Sequence, residues 1–125
     1  MKIRGYRQRQ AGGPCLVVTV DGAGDEKVIP LPAIKAGREF RHSPDGFQWG
    51  YGGSGPAELA RAVLITIIKG DARARHPRCY QQFKMDVIAR IREDEFTLDE
   101  QQVREWYDAF LMRRGLDIDK DWLEE

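Results

Sequence analysis

The most chemically suggestive stretch of this chain is the glycine-rich segment GFQWGYGGSGPAEL, residues 47–60. Its glycines 50, 52 and 55 satisfy the pattern G-x-G-x-x-G between a predicted strand and a predicted helix. In that setting the pattern lets backbone amides approach a phosphate at the N-terminus of a helix. The candidate ligand-binding residues are therefore Trp49, Tyr51, Gly52, Gly53, Ser54 and Gly55.

The better-defined versions of such a site do not fit the surrounding residues. A dinucleotide fold needs a second parallel strand after the helix, and GDARARHPRCYQQ is not one. Glu58 in the first helical turn would repel an anion, and Pro56 removes one amide donor. Ser54 nearly forms the nucleophile elbow G-x-S-x-G, but Pro56 replaces its second glycine. The P-loop fails because neither Lys-Ser nor Lys-Thr follows Gly55.

Two interpretations of the glycines remain open. In one, the segment is a looser site for a small molecule or nucleotide. In the other it is architectural, and the glycines let a strand turn sharply into a buried helix. The architectural interpretation expects positive φ angles at Gly53 and Gly55, where alanine would be strained, and it leaves the Ser54 hydroxyl without a structural function.

Metal chemistry has weaker support. Four side chains have the composition of a zinc site: Cys15, His42, His76 and Cys79. Only the last two are closely spaced, and both cysteines fit core positions. Three alternating aspartates resemble part of a calcium loop: Asp117, Asp119 and Asp121. They lack the loop's glycine and its final glutamate. We therefore expect no metal and no cofactor, and no complete catalytic constellation points to an enzyme.

The charge of the chain is divided between its two halves. The formal net charge is zero, yet residues 1–78 hold thirteen basic and seven acidic side chains, and residues 79–125 hold the reverse. Arg73, Arg75 and Arg78 form the densest basic group, which could contact a phosphate or an acidic surface. A bipolar chain with a pI of about 6.7 suggests a protein partner more than a nucleic acid.

The N-terminal half is predicted to form strands and turns over residues 1–54. KIRGYR suggests a short strand, and residues 15–32 suggest a hairpin of CLVVTV and KVIPLP. After REFRH, the turn SPDG leads into a return strand, FQWGY. Its period of two would place Phe47, Trp49 and Tyr51 on one face, with Phe47 and Trp49 against the following helix.

The C-terminal half is predicted to form three helices over residues 56–69, 77–93 and 98–114. The first begins at Pro56 and is apolar around most of its circumference, which is typical of a central buried helix. The third opens with a capping box of Thr97 and Glu100, and the acidic tail 116–125 follows it. The chain is thus predicted to be a single α+β domain, 1–125, with a small antiparallel β-sheet from its N-terminal half packed against three C-terminal α-helices.

Two segments, SPDGFQWGYGGSGPAELA and YQQFKMDVIARI, resemble those of a family of small uncharacterised bacterial proteins also found in phages and mobile elements. The resemblance covers roughly residues 28–110 and implies no known activity or catalytic residues. It implies an accessory protein that binds a protein partner, a host-defence component being one such partner, although fold-level context alone does not define function. No apolar segment spans a membrane or resembles a secretory signal, so we expect a cytoplasmic protein without a membrane partner.

Overall fold

The computed structural model describes residues 1–6, 16–20, 26–28 and 47–114. Within these residues the chain forms four strands and three α-helices, which confirms the α+β class. In chain order they are β1 Lys2–Tyr6, β2 Leu16–Val20, β3 Glu26–Val28, α1 Ser54–Ile67, α2 Pro77–Asp86, β4 Glu95–Asp99 and α3 Glu100–Arg114. The predicted turn SPDG, the segment REFRH, the acidic tail, Cys15 and His42 lie outside the described residues.

The strands form one antiparallel sheet in the order β3-β2-β1-β4. The predicted hairpin is present, because β2 pairs with β3. β4 comes from the C-terminal half and pairs with β1, with Phe96 opposite Gly5. The prediction that the N-terminal half supplies the whole sheet is therefore wrong for this strand. Its sequence EFTLD runs directly into a helix. Pairing with a strand near the other end of the chain leaves no local signal.

The predicted return strand FQWGY is wrong, since residues 47–51 form no strand in the structure. Gly50 has a φ of 89°, a left-handed conformation that breaks the alternation of a strand between Trp49 and Tyr51. Phe47 and Trp49 are accordingly buried, whereas the Tyr51 side chain is 51% exposed. The three aromatic residues do not share a face.

The helices differ from the predicted bounds at four ends, two of α1 and one each of α2 and α3. α1 begins at Ser54 and ends at Ile67, so Pro56 is the third helical residue. The proline fits there because amides of the first turn have no acceptor within the helix. α2 ends at Asp86 instead of residue 93, and a 3₁₀ turn, Ile88–Arg90, follows it.

α3 begins at Glu100 because its cap lies two residues beyond the predicted one. Asp99 Oδ1 accepts a hydrogen bond from the Gln101 amide at 2.9 Å, and Gln102 Oε1 accepts one from the Asp99 amide at 3.0 Å. This reciprocal pair is a capping box. The sequence TLDEQQ contains two pairs at the spacing of a capping box, Thr97 with Glu100 and Asp99 with Gln102. The predicted cap at Thr97 is wrong because Thr97 is paired with Arg4 in the sheet.

α1 is the central element, as predicted. Its residues 55–64 are all buried, and Ile67 is also buried. The core cluster around it draws apolar side chains from β1, β2, the glycine segment, α2, β4 and α3. Two charged residues are buried with them: Glu58 and Arg61 are 0% and 2% exposed, with Arg61 Nη1 at 3.9 Å from Glu58 Oε1. Opposite charges on successive turns offset part of the cost of removing each from water.

Candidate functional site

Trp49 anchors the glycine segment to the C-terminal half of the chain. Its indole Nε1 donates a hydrogen bond to the Glu93 carbonyl at 2.9 Å. Its ring meets Phe96 of β4 edge to face, with centroids 4.8 Å apart and an interplanar angle of 81°. One residue later the Gly50 amide donates to the Ile88 carbonyl at 3.1 Å. Trp49 and Phe47 also belong to the buried cluster that includes α1.

Gly53 and Gly55 are required by close packing and not by positive φ. Gly53 has a φ of −96°, and Gly55 is a helical residue of α1. A Cβ on Gly53 would overlap the Tyr51 ring, and a Cβ on Gly55 would lie 2.7 Å from the Gln48 Cβ and 3.2 Å from the Tyr51 hydroxyl. Among the described glycines, positive φ occurs at Gly50 and Gly70. The expectation of positive φ at Gly53 and Gly55 is therefore wrong.

The exposed part of the segment packs on the end of α2. A Cβ on Gly52 would lie 3.7 Å from the Met85 Sδ, and Lys84 Nζ donates to the Gly52 carbonyl at 3.1 Å. The Met85 side chain is 51% exposed, as is that of Tyr51. We call the group formed by the exposed residues Tyr51, Gly52 and Met85, with the half-buried Lys84, the Tyr51–Met85 surface.

Sequence reasoning missed Met85. The apolar stripe of the second predicted helix consists of residues at helical spacing that do not include Met85: Tyr80, Phe83, Val87, Ile88 and Ile91. Met85 lies off that stripe, and a large apolar side chain on the polar side of an amphipathic helix is the signal that could have identified an exposed contact residue.

The predicted ligand-binding residues separate into a buried and an exposed group, with the half-buried Gly53 between them. Trp49 is 1% exposed and Gly55 is buried, so they support the segment from beneath. Tyr51, Gly52 and Ser54 are exposed. The N-terminus of α1 has no side-chain cap at Gly53. Binding of a small molecule or nucleotide there stays a prediction.

The three predicted basic residues are not equivalent. Arg73 forms a two-pronged ion pair with Asp71, with Nε to Oδ1 at 3.0 Å and Nη2 to Oδ2 at 2.8 Å. Hydrogen bonding from Arg73 lowers the pKa of Asp71 below its usual value. Arg75 is half-buried and Arg78 is exposed. Because Asp71 neutralises Arg73, the basic patch is smaller than the sequence suggests, and contact with a phosphate or partner stays a prediction.

Two of the four residues with the composition of a zinc site, His76 and Cys79, lie within the described residues and have structural surroundings. His76 is buried, and its Nδ1 accepts a hydrogen bond from the Arg78 amide at 3.1 Å, which caps α2. Burial, with the nearby charge of Asp71, raises the pKa of the Cys79 thiol to about 12. A thiol that stays protonated at neutral pH is a poor nucleophile. The part of the chain that the structure describes contains no cluster of three or more metal-ligating side chains.

The fold and the site define a small α+β protein built around a central helix and a tryptophan-anchored glycine segment. Residues 4–109 match the model of DUF6166, a family of unknown function, so the chain belongs to that family. Neither a curated protein nor a solved structure matches it. No helix in the described residues is both long and apolar enough to cross a membrane.

We predict that Trp49→Ala lowers the free energy of unfolding by about 3–5 kcal/mol, because it leaves a cavity and removes the Phe96 contact. Trp49→Phe is the matched control: it keeps an aromatic ring and loses the bond to Glu93, so it should cost distinctly less. Urea unfolding of the two variants measures both effects. Equal and small losses would show that the tryptophan is not an anchor.

The glycines provide a second prediction. Gly55→Ala should destabilise by about 1–3 kcal/mol, since the Gln48 Cβ cannot move without its backbone. Gly53→Ala should cost less, because the exposed Tyr51 ring can rotate away. Gly52→Ala and Ser54→Ala are controls and should stay within about 0.5 kcal/mol of the parent. Thermal melting ranks the four variants, and a stable Gly55→Ala protein would refute the packing explanation.

Proposed function

We propose that the protein acts by binding a protein partner, without catalysis, through the Tyr51–Met85 surface. The observation that carries this proposal is a pair of large, half-exposed side chains, Tyr51 and Met85. They lie where the glycine segment packs on the end of α2. Aromatic residues and methionine are enriched in protein interfaces. Methionine also adapts its shape to a partner at low cost.

The Tyr51–Met85 surface is suited to binding because the backbone of the glycine segment is already held by hydrogen bonds. Gly50 is bonded to Ile88, Gly52 accepts from Lys84, and Trp49 is fixed in the core. A surface held in one conformation loses little entropy on association, which improves affinity without further contacts. Asp86 and Arg90 are exposed nearby on the end of α2 and the following turn, where they would supply a polar rim.

The class of partner is proposed from the family resemblance. Proteins resembling this chain occur in bacteria, phages and mobile elements, and small phage proteins often act by binding a host component. We accordingly propose a host protein as the partner, with a component of a host defence system as the particular case. This step rests on analogy, whereas the surface rests on contacts.

The alternative function is binding of a small molecule or nucleotide at the N-terminus of α1. The observation behind it is that α1 begins without a side-chain cap, beside the exposed Ser54. Against it, the Tyr51 ring lies where a Cβ of Gly53 would be, so an aromatic side chain covers the first turn. Pro56 also supplies no amide there.

We predict that Tyr51→Ala and Met85→Ala each weaken partner binding by about thirtyfold, the loss typical of a central interface residue. Met112→Ala is the matched control, since Met112 is 88% exposed on α3, away from the Tyr51–Met85 surface in sequence. The parent chain is used to capture a partner from host lysate, and the affinity of that purified partner for each variant is then measured.

The outcome separates the two functions. Unchanged affinity in both Tyr51→Ala and Met85→Ala would refute the proposed surface. Thermal-shift measurements with nucleotides test the alternative: a shift in the parent that disappears in Ser54→Ala, with melting otherwise unchanged, would favour ligand binding at the α1 N-terminus.

A further inference from the structure

β4 forms one edge of the sheet. In the strand order β3-β2-β1-β4 its only neighbour among the described residues is β1. The Glu100 amide donates to the Met1 carbonyl at 3.0 Å, so these two residues form a hydrogen-bonded pair next to the β1–β4 ladder. Counting from this pair identifies which residues of β4 are hydrogen-bonded to β1. Because the bonding direction alternates along an antiparallel pair, Leu98 and Phe96 bond to β1, and the N–H and C=O groups of Thr97 and Glu95 point away from it.

The outward-pointing residues of β4 are accessible. Glu95 and Thr97 are exposed, and between them Phe96 is buried. The Asp99 amide is already taken by the Gln102 side chain, which ends the available edge at α3. An edge that presents unpaired backbone groups is a template for another strand, and addition of an extended peptide to such an edge is a common mode of recognition.

The charges along this edge define the partner. An open depression where β4 meets α3 is lined by Lys2, Thr97, Asp99, Gln101, Gln102 and Glu105. With Glu95, this region presents three carboxylates from β4 and α3. The cations on the same face, Lys2 and Arg4, belong to β1 and so lie on the side of β4 away from its free edge. A strand with lysine or arginine at alternate positions would complement these charges, since opposite charges on neighbouring strands are favourable.

The same charges disfavour a second copy of this chain. If β4 paired along its whole length with β4 of another copy, in antiparallel orientation, Thr97 would face Thr97. Glu95 would then face Asp99 at both ends of the pair. Like charges directly opposite each other on adjacent strands are destabilising. The edge is therefore better matched to a foreign basic segment than to itself.

We propose that β4 accepts an additional strand from a partner, an extended polypeptide segment with basic residues at alternate positions. The segment pairs with the outward N–H and C=O groups of Thr97 and Glu95, and its basic side chains lie near Glu95, Asp99 and Glu105. This site uses none of the residues of the Tyr51–Met85 surface, so either site can be refuted without the other.

The test uses two synthetic peptides, one alternating valine with lysine and the other alternating valine with glutamate. Thr97→Pro removes the outward amide and leaves the ladder bonds of Phe96 and Leu98 to β1 in place, as edge strands tolerate. Thr97→Val is the matched control, because it keeps the amide. Glu95→Lys changes only the charge, and it also serves if Thr97→Pro does not fold.

We expect the lysine peptide to bind the parent and to slow amide hydrogen exchange at Thr97 at least about tenfold. Thr97→Pro and Glu95→Lys should each weaken that binding about tenfold or more, while Thr97→Val stays within about twofold. The glutamate peptide should bind at least about tenfold more weakly to the parent.

The proposal would be overturned by no binding of the lysine peptide at millimolar concentration, by equal binding of both peptides, or by full affinity in both Thr97→Pro and Glu95→Lys. Self-association of the parent that is abolished by Thr97→Pro would also overturn it, because the occupant of the edge would then be a second copy.

Discussion

The structure depends on how Trp49 is held. A single buried side chain is hydrogen-bonded to the Glu93 carbonyl, packed edge to face on Phe96 of β4, and followed by a backbone bond from Gly50 to Ile88. Phe96 in turn lies over Gly5 of β1, where a Cβ would overlap its ring. The contacts form a continuous path from the centre of the sheet through Phe96 and Trp49 to the start of α1.

That arrangement also accounts for the surface proposed to bind a partner. Gly50, with its positive φ, reverses the side-chain direction between Trp49 and Tyr51, so that one aromatic ring lies in the core and the other faces solvent. Gly53 and Gly55 leave room for Tyr51 and Gln48 to pack against the first turn of α1. The glycines thus place Tyr51 on the outside, on a backbone that is held by hydrogen bonds on either side of it. An architectural function for these residues and a binding function for the exposed ones are consistent with each other.

Much of the fold follows from local sequence patterns, and the remainder depends on contacts between distant residues. Turn residues around β-branched runs predict the hairpin, and continuous apolar content predicts the buried α1. Pairing of EFTLD with β1 cannot be predicted in this way, because its partner lies at the other end of the chain. For the same reason the sequence predicts the capping box at Thr97, whereas in the structure Thr97 pairs with Arg4 in the sheet and Asp99 caps α3. The candidate segment could be located from its glycines. Which of its aromatic residues are buried and which exposed depends on the φ angle of Gly50, and the exposed surface is completed by Met85 from α2. Neither feature can be seen in the sequence of the segment itself.

The most direct test of the Trp49 anchor is a double-mutant cycle with Phe96, since the two residues come from opposite halves of the chain. Trp49→Leu, Phe96→Leu and the double variant keep apolar volume at each position, and urea unfolding gives the free energy of each. We expect a coupling energy of about 0.5–1.5 kcal/mol in favour of the native pair, as found for aromatic contacts. Strictly additive effects of the two substitutions would contradict it, because they would show that the tryptophan does not join the glycine segment to β4.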